Sequence, residues 1–323
     1  MGLRNRLFDL GWKHTVRVAA PVVSVGNLTL GGTGKTPCVE YVARFYREHD
    51  LQAAILSRGY QPSGASSSCN DEALVLEQNL PDVPHLQGAD RVALAQVAIA
   101  ELESEVLILD DGFQHRRLAR DLDIVLLDAT EPWGHGYHFP RGLLREGPAS
   151  LHRAGVVVLT RCDQVSEDAL AALRKEVQRY APQAVLAESI HRPLAWLDAD
   201  GQSVPLEQLQ GRPLLAFCGL GNPDAFRRSL TALGLPPVAF RSFPDHHDYT
   251  RADVQDLHAW ARQQPEGTVL VTTQKDLVKL RLMQLGGKPL WALRIGLHLE
   301  AGREAFDARL EQAVAAATAD PLA

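Results

Sequence analysis

Short apolar runs recur at positions 22–25, 53–56, 106–109, 124–127, 156–159 and 184–187. Each is too short for a helix and rich in Val, Ile, Leu or Ala, and each predicts a strand. Between them, 37–49, 90–103 and 168–180 carry apolar residues at helical spacing. Uninterrupted apolar strands suit a sheet covered on both faces, so the pattern predicts a three-layer α/β domain with a parallel sheet. Around 192–213 the rhythm gives way to turn signals, Asp198-Ala199-Asp200-Gly201 and Gly211-Arg212-Pro213, which read as a hairpin linker. Strands at 214–217, 238–240, 269–272 and 290–295 then alternate with helices at 224–233, 251–263 and 303–316, a second, smaller α/β domain. The expected division is a helical segment over 1–20, a main domain over 21–190, the linker over 191–213 and the smaller domain over 214–323.

A length of 323 residues fits two domains, and 46% hydrophobic with 22% charged residues describes a folded chain. No apolar run approaches the roughly 18 residues of a spanning helix, and the N-terminus lacks the apolar core of a signal peptide, so a cytoplasmic address without a transmembrane span is expected. The four cysteines, Cys38, Cys69, Cys162 and Cys218, have neither C-x-x-C nor zinc spacing and read as reduced thiols. A net charge of −6 speaks against a dedicated nucleic-acid partner. That charge is uneven: residues 1–20 hold Arg4, Arg6, Lys13 and Arg17 against Asp9, a net +3, so the remainder carries −9. With Leu3, Leu7 and Leu10 at helical spacing and Phe8 and Trp12 nearby, this segment reads as a basic amphipathic helix, a type that can lie on an anionic membrane surface or pack on its own domain.

The most informative chemistry lies at Val22-Val23-Ser24-Val25-Gly26-Asn27-Leu28-Thr29-Leu30-Gly31-Gly32-Thr33-Gly34-Lys35-Thr36-Pro37, an apolar strand, a glycine-rich loop and Gly-Lys-Thr opening a helix. That is the context of a P-loop, whose backbone N–H groups cradle phosphates over 29–36: Thr29, Leu30, Gly31, Gly32, Thr33, Gly34, Lys35 and Thr36. Lys35 can reach the β- and γ-phosphates, and Thr36 offers a hydroxyl to Mg²⁺. Thr29 stands where the pattern wants glycine, and Gly31-Gly32 are the expected substitute. Asp110 and Asp111, directly after the apolar run 106–109, place carboxylates at the carboxyl edge of the sheet, where a phosphate-bound metal lies. Taken alone, Asp71 reads as a loop acid, and His246-His247 as a turn or a metal ligand.

The run from Asp110-Asp111-Gly112-Phe113-Gln114-His115-Arg116-Arg117 to Leu126-Leu127-Asp128-Ala129 resembles the signature of the tetraacyldisaccharide 4′-kinases, the lipid A 4′-kinases of Gram-negative bacteria. Further matches follow in family order: Val25-Gly26-Asn27, Ser57-Arg58-Gly59-Tyr60, Leu144-Arg145-Glu146, Phe217-Cys218-Gly219, Phe243-Pro244-Asp245-His246-His247 and Lys275-Asp276. The resemblance implies a P-loop NTPase-like domain and a smaller α/β domain joined by a β-ribbon, with the active site in the cleft. It implies Mg-ATP-dependent phosphorylation of the 4′-hydroxyl of tetraacyldisaccharide 1-phosphate to lipid IVA, peripherally at the cytoplasmic face of the inner membrane. No nucleic-acid or protein partner is implied.

By the same resemblance, Asp71 matches the family's catalytic aspartate and His246 the histidine that works with it, a carboxylate–imidazole pair suited to orienting a hydroxyl. Lys35 and Asp111 complete the expected catalytic set, with Thr36, Asp110, Asp111 and Glu146 as metal contacts. Arg116, Arg117 and Arg145 are candidates for the substrate phosphate. Departures from the family pattern are Asn70-Asp71-Glu72-Ala73, Gln274 in place of glutamate, Gln61-Pro62, and a short apolar segment ahead of the P-loop. Two other readings compete: a P-loop GTPase or metal-insertion chaperone using His246 and His247, and a non-enzymatic nucleotide sensor at the membrane. The first lacks a guanine-reading Asn-Lys-x-Asp, having Thr160-Arg161-Cys162-Asp163 at the corresponding strand end.

Overall fold

The computed structural model describes residues 2–59 and 71–319. The serines at 66–68, Cys69, Asn70, Tyr60 and Gln61-Pro62 fall outside the described residues. In chain order the elements begin with α1 (Gly2–Asp9), β1 (Val22–Asn27), α2 (Lys35–Glu48), β2 (Ala53–Ser57), α3 (Asp71–Asn79), β3 (His85–Gln87) and α4 (Arg91–Glu101). Then come β4 (Val106–Asp110), β5 (Leu122–Asp128), β6 (Val156–Thr160), α5 (Glu167–Tyr180), β7 (Val185–Leu197), β8 (Ser203–Val204) and β9 (Leu214–Cys218). The chain finishes with α6 (Pro223–Ala232), β10 (Ala239–Ser242), α7 (Arg251–Arg262), β11 (Val269–Thr273), α8 (Gln274–Leu280), β12 (Gln284–Leu285), β13 (Lys288–Ala301) and α9 (Arg303–Ala319).

The described chain forms two compact units that are not consecutive in sequence. The first takes residues up to 59, 80–191 and 297 onward; the second takes 71–79 and 192–296. In the first, strands run in the order β3-β2-β4-β1-β5-β6-β7 with every pairing parallel. β1, β2, β4 and β6 are buried at every position, as expected of a sheet covered on both faces. One core layer gathers Leu28, Phe113, Val125, Val157 and Leu173, the other Val22, Leu56, Val92, Leu107 and Leu118. β1 lies in the middle, with β4 on one side and β5 on the other, so the chain winds outward in both directions from it. Open parallel sheets bind ligands at such a switch point, outside the carboxyl ends of the strands.

The second unit is a smaller parallel sheet, β10-β9-β11-β13, with β12 antiparallel on β13. Asp198–Gly201 turns the chain so that β8 pairs back on β7, Trp196 opposite Val204. Helix ends are set locally: Asp90 accepts from the Val92 and Ala93 N–H groups, Ser166 from Ala169, and Thr250 forms a capping box with Asp253. α1 stops early because Gly11 adopts φ +72°, while Trp12 N–H donates to Leu7 C=O and Gly11 N–H to Phe8 C=O, a Schellman termination. Helix therefore covers only the first part of the basic segment, and Val16 pairs with Leu118 beyond it.

Candidate active site

Steric necessity fixes the loop after β1. A Cβ on Gly26 would lie 2.6 Å from Phe113 Cβ and 2.8 Å from its amide nitrogen, so only glycine fits. Asn27 Nδ2 donates to Thr33 Oγ1 at 2.9 Å, and Gln114 Nε2 donates to the Asn27 carbonyl at 2.9 Å. Thr29 is buried and bridges Leu144, while Leu30 N–H donates to Leu143 C=O at 2.7 Å. The positive φ values fall instead on Gly31 (+106°) and Gly34 (+91°), which is why a threonine is tolerated at 29. From β6, the Thr160 hydroxyl donates to the Thr33 carbonyl at 3.0 Å and Arg161 Nη2 to the Gly32 carbonyl at 2.6 Å.

A Cβ at Gly34 would meet His191 Nε2 at 2.5 Å. That nitrogen is buried without a hydrogen-bond partner among the described residues. Burial, helped by the Arg161 charge, pushes the His191 pKa down to about 4, so the ring is neutral near pH 7. α2 then opens at Lys35 with no side-chain cap on its first turn, and the buried Thr36 sits in that turn. Uncapped N–H groups and the positive end of the helix dipole are what a phosphate needs.

The acidic side is equally local. Register pairs Val25 with Asp110, which brings the end of β4 beside the start of the loop, and Gly112 N–H donates to Val25 C=O. Asp110 is buried. Asp111, at φ +52°, accepts from Arg145 Nη1 on both oxygens at 2.7 Å and has Lys35 Nζ at 3.5 Å. Desolvation pushes the Asp111 carboxyl up, but the Lys35 and Arg145 charges outweigh it and hold it below the usual range. The other expected ligands have partners elsewhere. Glu146 accepts from Arg153 Nη2 at 2.9 Å and from Asn5 Nδ2 at 2.7 Å. Arg116 donates to the Asn5 carbonyl, pairs with Asp9 and lies over the Phe8 ring, while Arg117 pairs with Asp90 at the surface.

Within the second unit, Asp71 opens α3 and His246 follows β10 at φ +55°. They meet, with His246 Nδ1 3.0 Å from Asp71 Oδ2 and 3.2 Å from Oδ1. Lys279 Nζ lies 3.3 Å from the same Oδ2, and Lys275 Nζ donates to Glu72 at 2.6 Å. Burial pushes the Asp71 carboxyl up, but the His246 hydrogen bond and the two lysines outweigh it and bring it down to about 2. The hydrogen bond to Asp71 raises the His246 pKa. His247 instead holds Asp253 through Nε2 at 3.1 Å.

Sequence reasoning missed Lys275 and Lys279 as partners of this acid pair, although their spacing of four on α8 puts both on one helical face. It also missed Asp276, which has no exposed surface and accepts from Gly219 N–H, Tyr249, Thr272 and Thr273. Gln274, the departure from the family glutamate, donates to Gln78 and Asn79 at 2.8 Å, tying α8 to α3. Neutral donors and acceptors meet there, so the amide satisfies the contact without a charge.

A family model described as tetraacyldisaccharide-1-P 4′-kinase matches residues 1–315. A tetraacyldisaccharide 4′-kinase from Anaeromyxobacter sp. (strain Fw109-5) is 40% identical over 97% of this chain and 87% of its own. The one from Syntrophus aciditrophicus (strain SB) is 38% identical over 92% and 85%. A crystal structure of LpxK from Aquifex aeolicus in complex with ATP superposes with a TM-score of 0.76 at 32% identity, covering 97% of this chain and 94% of that one. The competing reading as a GTPase or metal-insertion chaperone is not favoured. His246 and His247 are each engaged by a carboxylate, and the family model that matches residues 1–315 is that of the kinases. The fold is the α/β, mostly parallel architecture expected of a P-loop kinase, and the chain belongs to the tetraacyldisaccharide-1-P 4′-kinase family, the ATP-dependent kinases of lipid A biosynthesis.

Proposed function

We propose that the protein transfers the γ-phosphate of ATP to the 4′-hydroxyl of tetraacyldisaccharide 1-phosphate, forming lipid IVA, with the loop 29–36 as the phosphate cradle. The observation that carries this reading is the Lys35–Asp111–Arg145 cluster beside an uncapped helix N-terminus, in a chain matched to the kinase family over nearly its whole length. Lys35 sits between an acidic partner and the loop, ready to turn onto the β- and γ-phosphates, where charge accumulates during transfer. Thr36, Asp110 and Asp111 offer hard oxygen donors of the kind Mg²⁺ prefers, and the ion would neutralise the phosphate oxygens. Glu146, held by Asn5 and Arg153, would join them only after leaving those partners.

Asp71 is the acceptor for the attacking hydroxyl's proton. As the 4′-oxygen bonds to the γ-phosphorus, the bond from that phosphorus to the β–γ bridging oxygen breaks and ADP leaves. The hydroxyl proton passes to the Asp71–His246 pair and then to solvent. A carboxylate held down to about 2 is fully ionised at neutral pH, so its strength lies in orienting the hydroxyl until the forming ester makes that proton acidic. Arg145 supplies positive charge for the nucleotide or the substrate's 1-phosphate, and Arg116 and Arg117 would add to it only on leaving Asp9 and Asp90. α1 and the turn after it attach the protein to an anionic membrane surface: α1 is docked on its own unit through Arg4 and Asn5, while Arg6 on the helix and Trp12 and Lys13 beyond it are exposed.

The test is phosphorylation of tetraacyldisaccharide 1-phosphate in mixed micelles by the purified full chain with Mg-ATP. We expect product, and a fall in kcat of roughly 10²- to 10⁴-fold in Asp71→Ala, with Lys35→Ala at least as severe. ATP binding with no phosphate reaching the lipid would sink the kinase reading and leave a nucleotide sensor. Wild-type turnover in Asp71→Ala would remove that residue from the mechanism.

A further inference from the structure

Among the described residues of the first unit, the most exposed large apolar side chains lie on two segments, with Val97 and Leu102 of the α4 region less open. Leu10 (66% exposed) and Trp12 (76%) follow α1; Tyr137 (47%) and Phe139 (66%) stand on the loop between Gly134 and Arg145. Two aromatics two positions apart on one loop and left this open to water are unfavourable unless something covers them. We infer that the Tyr137–Phe139 loop is a second lipid-contacting element, entering the headgroup region of an anionic bilayer alongside α1. The inference rests on the proposed lipid-acceptor reading and adds a surface that the basic N-terminal segment does not account for.

Three observations carry it. First, the loop is built rather than loose: Phe139 N–H donates to Leu144 C=O at 2.9 Å, Leu144 N–H to Tyr137 C=O at 3.1 Å and Leu143 N–H to Gly134 C=O at 2.9 Å. Gly142 lies so close that a Cβ would be 2.4 Å from the Tyr137 carbonyl oxygen. A tip held from behind loses little entropy on binding. Second, its chemistry is that of a membrane interface. Arg141 lies 3.6 Å from the Tyr137 ring centroid, so a cation and an amphipathic ring are presented together on the loop that also carries the exposed Phe139, a combination that suits anionic headgroups over an acyl boundary. Third, it adjoins α1: the loop folds on Leu144, and two residues further Glu146 accepts the Asn5 amide of α1. The same stretch continues as Leu143 and Leu144 onto Leu30 and Thr29, and as Arg145 onto Asp111. Lipid contact and nucleotide loop are thus borne by one short segment.

The test is co-sedimentation of the full chain with phosphatidylethanolamine–phosphatidylglycerol vesicles, alongside lipid phosphorylation in mixed micelles. Tyr137→Ser/Phe139→Ser should weaken partitioning by roughly tenfold, the effect of withdrawing about one buried aromatic from the bilayer, without lowering the thermal midpoint. Leu10→Ser/Trp12→Ser should weaken it separately. Wild-type partitioning of the loop variant would overturn the inference, and would leave the activity reading intact if the wild-type chain phosphorylates the lipid. Loss of partitioning with no lipid phosphorylation by the wild type would uphold the loop and remove the kinase reading. If the double variant does not melt cooperatively, Phe139→Gln alone decides, and wild-type partitioning of that variant counts against the loop.

Discussion

Asp71 and His246 change each other's titration in opposite directions, and the sign of each shift can be checked. The carboxyl is brought down from 3.8 to about 2, and the imidazole is raised above 6.5. The pair therefore contributes its full stability between about pH 4 and the ordinary histidine range. That contribution fades as pH falls from about 4 through about 2, where Asp71 takes a proton, and again as pH rises from 6.5 through the raised value, where His246 loses one. The corresponding prediction is spectroscopic: in a histidine NMR titration His246 should titrate above 6.5, and in Asp71→Asn it should return toward or below that value. A His246 titration unchanged in Asp71→Asn would show that the two groups do not interact in solution, and the coupled acid–base role would go with it.

At the scale of elements, the sharpest constraint is the junction of loop and α2. Gly34 is required twice, by its φ of +91° and by the His191 ring occupying the space a Cβ would take. An L-residue in left-handed backbone costs about 1–2 kcal/mol, and overpacking against a buried ring typically about 1–3 kcal/mol more. Gly34→Ala should accordingly abolish measurable ATP binding by calorimetry while the chain still folds. Gly34→Ala/His191→Ala, which clears the contact but keeps the backbone strain, should recover only part of the affinity. ATP affinity in Gly34→Ala equal to wild type would show the loop to be more forgiving than its geometry. Much of this element was legible beforehand, because strand, loop and Gly-Lys-Thr are adjacent in sequence and local rules suffice. So were the buried parallel strands, whose apolar runs lie within a few residues of their observed ends. Less legible were α3 and α8. α8 spans seven residues and α3 nine, too brief for a helical period to stand out. The attachment of α3 to the second unit depends on Gln274 meeting Gln78 and Asn79 nearly two hundred positions away, and no window on the sequence contains both partners. Lys279 was missed for the same reason: its spacing places it on a face, but only the fold brings that face to Asp71.

For the whole molecule, the net charge of −6 hides its arrangement, since a +3 segment leads a body of −9. Part of that positive charge is already engaged, with Arg17 on Asp121 and Arg4 on the Gln114 carbonyl, whereas Arg6 and Lys13 face solvent. An anionic bilayer would attract the segment and repel the body, so attachment by charge alone favours one orientation, with α1 toward the lipid. Such attraction is screened over about 10 Å at 0.1 M salt and about 3 Å at 1 M. Apolar contact by Leu10, Trp12, Tyr137 and Phe139 is not screened in this way. Binding of the wild-type chain to anionic vesicles should therefore fall steeply over this salt range and then level off above zero. A variant with Arg6→Gln and Lys13→Gln should start lower and reach the same plateau. Binding that is independent of salt from the outset would remove the electrostatic role of α1. Binding that falls to nothing at 1 M would mean that charge alone holds the protein to the membrane and that the exposed aromatics stay in water.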